Sequence, residues 1–304
     1  MFDKKPFTLT QQVEQLQERG LVIKHPRIAE KYLININYYR LGEYWYVMQS
    51  DKDSHLFKLN SKFEDVIALY NFDAELRLLL FNVIEKIEIS LRTKLIYYLS
   101  HEVEPWWFQN FELFSDSKAL VKTLAALEEE ISRTKDIGSK NHKKKHKDDG
   151  RFLPAWKSLE QTSFGTLSKL YGNLKNTVDS KNQIAKDFGA VNHTFLPSWL
   201  QSIAQIRNFC AHHSRLWNRN LPGTVKILPN PPNPWITDSE NVPKQHEFSK
   251  LYVHLCLMKY MLNTIIPKNE FNLKLSELFE KYPNVDPNAL GMKPNWENEP
   301  LWKY

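Results

Sequence analysis

The chain has 304 residues, which is enough to bury the core of one large domain or of two. Its composition, 42% hydrophobic and 13% aromatic, excludes a disordered protein, and its formal net charge of +6 favours an acidic partner, with nucleic acid ahead of a membrane surface. No stretch approaches the roughly 18 apolar residues of a membrane span, and the first residues lack the apolar run of a signal peptide. We therefore expect a cytoplasmic protein that does not use a membrane.

Residues 1–60 are predicted to form an N-terminal helical subdomain that ends in a polar loop. Its first helix covers residues 8–19, and Thr8 or Thr10 would cap it. Residues 34–47 are dense in aromatic side chains, and we predict that these pack the first helices onto the main bundle. Stacking on RNA bases is the alternative for them.

Residues 63–100 carry the longest apolar block of the chain. Its spacing predicts a core helix, which we expect to break near residues 71–73, where Asp73 would cap a new start.

A polar stripe follows on the same helix. Glu85, Glu88 and Arg92 share one face at i, i+3 and i+7. Because a charge on a largely buried helix usually pairs with another group, we hypothesise that these supporting residues face the segment 203–219 and orient it. A solvated surface stripe is the alternative.

The segment 135–149 is the most basic part of the chain. It holds six lysines and three aspartates, a net charge of +3, which is half of the formal charge of the protein. We predict an exposed loop that tracks an RNA phosphate backbone through Lys143, Lys144, Lys145 and Lys147. A loop that only keeps the protein in solution is the alternative.

The segment 203–219 concentrates the chemistry-bearing residues. It holds two histidines, three arginines and two asparagines in seventeen residues, and it continues a helical apolar run that Ser198 would cap, with Pro197 just outside the helix. Glycine is scarce, and neither strand alternation nor a glycine-rich phosphate loop is visible, so the sequence predicts an all-α protein.

Arg207, Asn208 and His212 form a trio that suits phosphodiester chemistry. On a helix, Arg207 and His212 project about 140° apart, and Asn208 lies four residues before His212, within reach of its imidazole. Histidine transfers protons near neutral pH, and arginine holds a phosphate through a bidentate fork. A solvated surface is the alternative for such a trio.

The two cysteines, Cys210 and Cys256, lie in apolar helical patterns typical of reduced core thiols. Cys210 could join His212 and His213 as a metal ligand, but a site needs three or four ligands and no second cluster supplies them. We predict no metal and no cofactor.

The spacing Arg207-Asn208-x-x-x-His212 fits the R-x4-6-H signature of HEPN-domain ribonucleases. The longer stretch from Arg207 to Arg219, RNFCAHHSRLWNR, resembles the Abi family of bacterial abortive-infection proteins, the AbiD/AbiF-like group. Five further stretches share the resemblance: Arg19-Gly20-Leu21, Ile36-Asn37-Tyr38-Tyr39-Arg40-Leu41, Leu69-Tyr70-Asn71-Phe72-Asp73, Leu153-Pro154-Ala155-Trp156 and Ser163-Phe164-Gly165-Thr166.

The resemblance implies a HEPN-type helical bundle core, residues 61–270, after the N-terminal helices, with residues 271–304 as a C-terminal extension. It also implies a metal-independent endoribonuclease, a toxin of anti-phage defence that cleaves RNA to a 2′,3′-cyclic phosphate and arrests the host. In that reading His212 transfers a proton, Arg207 binds the scissile phosphate and Asn208 positions them. Three more residues of the stretch are expected to contact RNA: His213, Arg215 and Arg219.

The chain holds one Arg-x4-His motif, whereas acid–base cleavage needs both a base and an acid. Relatives with a single motif pair two chains about a two-fold axis, so we predict a homodimer with both copies of His212 facing one groove. An RNA or protein antitoxin is a further candidate partner. The alternative function is that of a helical RNA-binding protein that holds a structured RNA without cleaving it.

Overall fold

The computed structural model describes residues 5–133, 152–222 and 225–303, together with positions 141, 144 and 145. Over these residues the chain forms helices and isolated bridges without a strand, which confirms the predicted all-α class. The α-helices are α1 (Leu9–Glu18), α2 (Pro26–Ile36), α3 (Tyr38–Trp45), α4 (Phe63–Glu102), α5 (Ser117–Arg133), α6 (Ala155–Ser158), α7 (Phe164–Asn173), α8 (Asp179–Asp187), α9 (Leu196–Ala211), α10 (Leu251–Ile265) and α11 (Phe271–Lys281). Short 3-10 helices cover Tyr46–Met48, Trp107–Gln109, Phe111–Leu113, Leu159–Gln161, Gln245–Glu247, Pro287–Leu290, Trp296–Asn298 and Pro300–Trp302.

The chain divides into two compact units. The first comprises residues 1–78 and 275–286, and the second comprises residues 79–274 and 287–304. The domain boundaries predicted at residues 60 and 270 stay predictions. None of the described helices combines the length and the apolar character that crossing a bilayer requires.

Helix α1 of the first unit begins where the sequence predicts. The Thr8 hydroxyl accepts a hydrogen bond from the Gln11 amide, and the Gln11 side chain accepts one from the Thr8 amide. This reciprocal cap satisfies two N–H groups that the first turn leaves free, and so it selects Thr8 over Thr10 as the cap.

The expected break near residues 71–73 is wrong, because α4 runs without interruption through its 40 residues. Asp73 does not cap a helix: its carboxylate, fully buried, accepts hydrogen bonds from the Tyr44 hydroxyl at 2.7 Å and from the Arg77 guanidinium. Burial, followed by the neighbouring Asp73 charge, raises the pKa of Tyr44 above its ordinary range. The Asp73 side chain, which the local pattern predicts as a helix cap, therefore binds Tyr44 instead.

Helix α9 is central to the second unit, where it packs against α7 and α10. Its apolar residues recur at helical spacing and are buried: Leu196, Trp199, Leu200, Ile203, Ile206 and Cys210. The predicted start of this helix is wrong, because α9 begins at Leu196 with Pro197 inside its first turn. Ser198 instead donates to the Phe195 carbonyl at 2.8 Å and accepts from the Lys226 amide at 3.2 Å.

A buried histidine joins α9 to α10. The Nε2 atom of His254 lies 3.1 Å from the Phe248 carbonyl, which can only accept, so Nε2 carries the proton. Nδ1 is then the acceptor for the Ser202 hydroxyl. Burial lowers the pKa of His254 to about 4, against the opposing effect of the Phe248 carbonyl.

The last described residues belong to the core of the second unit. Trp302 is 2% exposed and stacks on Tyr252 with the ring centroids 6.4 Å apart. The Glu299 carboxylate accepts hydrogen bonds from the Thr237 amide at 2.7 Å and from the Asn241 side chain at 2.6 Å. The carboxy-terminal turns thereby hold Thr237 and Asn241, which belong to the segment that precedes α10, in place.

Candidate functional site

The Arg207–His212 motif lies at the carboxy-terminal end of α9, in the second unit. Arg207 and Asn208 belong to the last turns of the helix, and His212 is the residue at which the helix ends. Asn208 and His212 are exposed, whereas Arg207 is partly covered. The His212 amide donates to the Asn208 carbonyl at 2.9 Å, which continues the helical pattern up to the histidine.

Helix α9 ends in a Schellman turn. The His213 amide donates to the Cys210 carbonyl at 3.1 Å, and the Ser214 amide donates to the Phe209 carbonyl at 2.9 Å. The turn requires a left-handed residue, and His213 supplies it with φ 55°. Because a side chain beyond glycine disfavours that conformation, the cost is about 1 kcal/mol.

Two arginines build the loop that follows. One guanidinium nitrogen of Arg215 donates to the Trp217 carbonyl at 2.6 Å and lies 3.2 Å from the Asn218 carbonyl. Arg219 donates from Nε to the Arg215 carbonyl at 2.5 Å, and its guanidinium lies 4.5 Å from the centroid of the Phe209 ring. Both side chains, which were predicted to contact RNA, therefore have a structural role in the loop.

An open groove of about 560 Å³ lies beside Arg207, wholly within the second unit. The rest of its lining comes from α4: Phe81, Asn82, Ile84, Glu85, Glu88, Ile89 and Arg92. The three supporting residues predicted from the sequence thus line one groove with Arg207. Asn208 and His212 are not among the described residues that line it, so the motif presents its arginine to the groove and its histidine at the helix end.

Within the groove, Arg92 is fixed while Arg207 and Glu85 are not. Arg92 donates to Glu88 at 2.7 Å, to the Leu159 carbonyl at 2.9 Å from Nε and to the Thr162 carbonyl at 3.0 Å. The side chains of Arg207 and Glu85 form no hydrogen bond or ion pair with other described residues. The groove therefore offers a ligand one unengaged guanidinium and one unengaged carboxylate.

Sequence reasoning missed the apolar and amide part of this lining. Phe81, Asn82 and Ile89 lie within the apolar block 63–100, and Asn82 and Ile89 are exposed. Their spacing around Glu85, at i−4, i−3 and i+4, places them on the face of the polar stripe and was the signal available. Such a lining can hold a planar base against apolar surface while the arginine holds a phosphate.

The basic segment is described only in part. Lys144 and Lys145 are exposed, as predicted, but both are helical, so the loop conformation predicted for them is wrong. Lys143 and Lys147 lie outside the described residues.

The comparison with protein families adds one finding. A family model described as "Abi-like protein" matches residues 31–218, a range that includes α4, the residues that line the groove and the Arg207–Arg219 stretch up to Asn218. No curated protein and no solved structure matches the chain.

Proposed function

Because this chain belongs to the family of Abi-like proteins, a membership that suggests a role in abortive infection, we propose that it is a metal-independent endoribonuclease of an anti-phage system. In this proposal it has a HEPN-type core and acts as a cytoplasmic toxin. Arg207, Asn208 and His212 form its catalytic site, and RNA is its substrate. The observation that carries the proposal is the position of the motif, whose partly covered arginine lines a groove beside an exposed helix end that bears histidine.

The chemistry follows from the residue types at that helix end. The unengaged guanidinium of Arg207 binds the scissile phosphate and offsets the charge that develops on it. His212 exchanges a proton with the reacting oxygens, which an imidazole does efficiently because its ordinary pKa lies near 6.5. Asn208, four residues before His212, holds the imidazole or the phosphate in register.

The test is incubation of labelled RNA with the purified protein in the presence of EDTA. We expect cleavage by the wild type, products ending in a 2′,3′-cyclic phosphate, and a loss of at least about 100-fold in rate for His212→Ala. His246 is an exposed histidine in a 3-10 helix of the same unit, so His246→Ala is the matched control and should cleave like the wild type. Tight binding of RNA without cleavage would instead identify a non-catalytic RNA-binding protein.

We also propose that the protein is a homodimer with the α9 carboxy-terminal ends at or near the two-fold axis. Two copies would double the positive field around the site and draw in RNA. Light scattering during size-exclusion chromatography should give twice the 36.0 kDa mass of the chain. A monomer at all concentrations that support activity would refute this arrangement. An RNA or protein antitoxin would be sought among the molecules that co-purify with the protein.

A further inference from the structure

The groove beside Arg207 carries opposite charges that do not all pair with one another. Its described lining holds two arginines and two glutamates, so the formal charge of that lining is zero. Glu88 and Arg92 pair at 2.7 Å, whereas Glu85 and Arg207 form no ion pair or hydrogen bond with a described residue. A groove that only followed a phosphate backbone would be lined by cations, because an unpaired carboxylate repels phosphates. Glu85 therefore indicates a ligand that offers hydrogen-bond donors beside its phosphate.

Apolar side chains flank Glu85 on the same face of α4. Phe81 lies one turn before it and Ile89 lies one turn after it, and both line the groove. Ile89 is 51% exposed, so this apolar surface is open to a ligand. The groove volume of about 560 Å³ falls within the range of about 300–1,000 Å³ that is typical of ligand clefts. A flat ring whose edge meets the Glu85 carboxylate would therefore have apolar surface next to both of its faces.

Asn82 adds a hydrogen-bond donor to the same part of the groove. It lies three residues before Glu85, and its Oδ1 atom accepts a hydrogen bond from the Lys86 ammonium at 3.0 Å. Because an ammonium can only donate, this bond sets the orientation of the amide and leaves its NH2 group directed away from Lys86. That NH2 group makes no hydrogen bond to another described residue. This face of α4 thus presents one amide donor next to one carboxylate acceptor.

Guanine is the RNA base whose hydrogen-bonding edge complements this arrangement. Its Watson–Crick edge has two neighbouring donors, N1–H and the N2 amino group, with the O6 acceptor beside them. Adenine and cytosine offer one donor next to one acceptor, and uracil offers one donor between two acceptors. Among the four bases, only guanine can therefore give a carboxylate two parallel hydrogen bonds, as an arginine fork does. Such edges are accessible in single-stranded RNA, where the bases are unpaired.

We propose that the groove binds a guanine base of the RNA next to the scissile phosphate and that Glu85 determines this specificity; the inference rests on the ribonuclease function proposed above. Glu85 accepts hydrogen bonds from N1–H and from the N2 amino group, and the Asn82 amide donates to O6. Arg207 binds the phosphate that is attached to the same nucleoside. Base recognition uses α4 and proton transfer uses the end of α9, so the assignment agrees with a catalytic site that two chains share.

The first test compares short single-stranded RNAs that differ at one nucleotide, with EDTA present. The wild type should cleave next to guanine, always on the same side, at least about 10-fold faster than next to any other base. Inosine lacks the N2 amino group and should lose most of this advantage. 7-Deazaguanine differs from guanine only at N7 and keeps the whole Watson–Crick edge. It is therefore the matched control and should be cleaved like guanine.

The decisive variant is Glu85→Gln, because glutamine presents one acceptor and one donor. It should abolish the preference for guanine, remove the difference between guanine and inosine, and raise cleavage next to adenine relative to guanine. Glu128 is an exposed glutamate on α5 of the same unit and lies outside the groove. Glu128→Gln changes the net charge equally, so it is the matched control and should keep the wild-type preference.

Binding of mononucleotides tests the site without cleavage. Guanosine 3′- and 5′-monophosphates are titrated into the wild type by calorimetry. The better-binding of the two should bind at least about 10-fold more tightly than the matching adenosine monophosphate. Glu85→Gln should remove this difference, and Glu128→Gln should retain it.

The outcomes separate this inference from the proposed function. Selective binding of guanosine monophosphate by a protein that does not cleave RNA would overturn the ribonuclease and support the guanine site. Cleavage without a base preference, or with a preference that Glu85→Gln leaves unchanged, would overturn the inference alone. Selective binding of the mononucleotide together with cleavage that ignores the base would assign the groove to a free nucleotide, which also overturns the inference. A protein that neither cleaves RNA nor selects guanosine monophosphate would overturn both.

Discussion

At the scale of single residues, His254 makes the stability of the second unit depend on pH. In the folded protein its pKa is lowered to about 4 by burial, whereas an unfolded chain protonates its histidines near pH 6.5. Between these values the unfolded state binds a proton that the folded state does not bind. The contribution of the neutral, buried imidazole is therefore complete above about pH 6.5 and is lost as the pH falls towards 4.

We predict that the free energy of unfolding falls by about 2 kcal/mol through His254 between pH 7 and pH 5. Urea denaturation at several pH values should show this dependence of the free energy of unfolding on pH in the wild type. The slope of that free energy against pH should be shallower in His254→Gln. The Gln side chain does not titrate but keeps an N–H donor for the Phe248 carbonyl. His55→Gln, at an exposed position, should retain the wild-type slope. Equal slopes for all three proteins would contradict the assignment.

A second residue-scale prediction concerns Arg92, whose side chain is 12% exposed. Its guanidinium donates hydrogen bonds to the Leu159 and Thr162 carbonyls and to the Glu88 carboxylate at the same time. Lysine keeps the charge but offers one nitrogen, so Arg92→Lys should lower the free energy of unfolding by about 2 kcal/mol. Arg133→Lys is the control, since Arg133 pairs with Glu129 on an exposed surface and should change stability by less than about 0.5 kcal/mol. Chemical denaturation compares the two variants.

At the scale of helices, the sequence predicts what depends on local spacing and fails where a distant partner intervenes. The apolar periodicity predicts α4 and α9 as helices, and the Thr8 cap of α1 is confirmed. The break in α4 was inferred from Asp73, but the Tyr44 hydroxyl, 29 positions earlier in the chain, takes that carboxylate. No local pattern contains such a contact.

The candidate site shows the same division. The sequence predicts that Arg207 and Glu85 belong to polar helix faces, and in the structure both residues line one groove. In contrast, Arg215 and Arg219 bind main-chain carbonyls only because the loop folds back on itself. The spacing of the arginines in the sequence does not indicate these contacts.

Helix ends give an element-scale prediction. A Cβ added to Gly189 would lie 2.7 Å from the Tyr260 ring and 2.9 Å from the Thr264 hydroxyl, in addition to the strained φ. Gly189→Ala should therefore lower the free energy of unfolding by about 3 kcal/mol. At Gly20 a Cβ would meet its nearest atom at 3.9 Å, so Gly20→Ala should incur only the backbone cost of about 1 kcal/mol. Similar losses in the two variants would show that space around the turn does not matter.

At the scale of the whole molecule, the positive charge is unevenly distributed along the chain. The segment 135–149 carries a net +3 of the formal +6. Replacing Lys143, Lys144, Lys145 and Lys147 with glutamine should weaken RNA binding. It should also reduce the slope of log K against log salt by about 0.7 for each lysine that contacts a single-stranded phosphate. Binding titrations at several salt concentrations, with His212→Ala protein so that RNA stays intact, measure this slope. An unchanged slope would assign the segment to solubility alone.

The burial of Trp302 and the hydrogen bonds of Glu299 have a consequence for the order of events during synthesis. A growing chain passes the Arg207–His212 motif long before the ribosome reaches residues 299–302, which supply stacking for Tyr252 and acceptors for Thr237 and Asn241. Domains generally fold as units once their parts are available. The unit that carries the motif therefore reaches its native packing only after these last turns have been translated, so a nascent chain that already bears the complete motif has not yet folded around it.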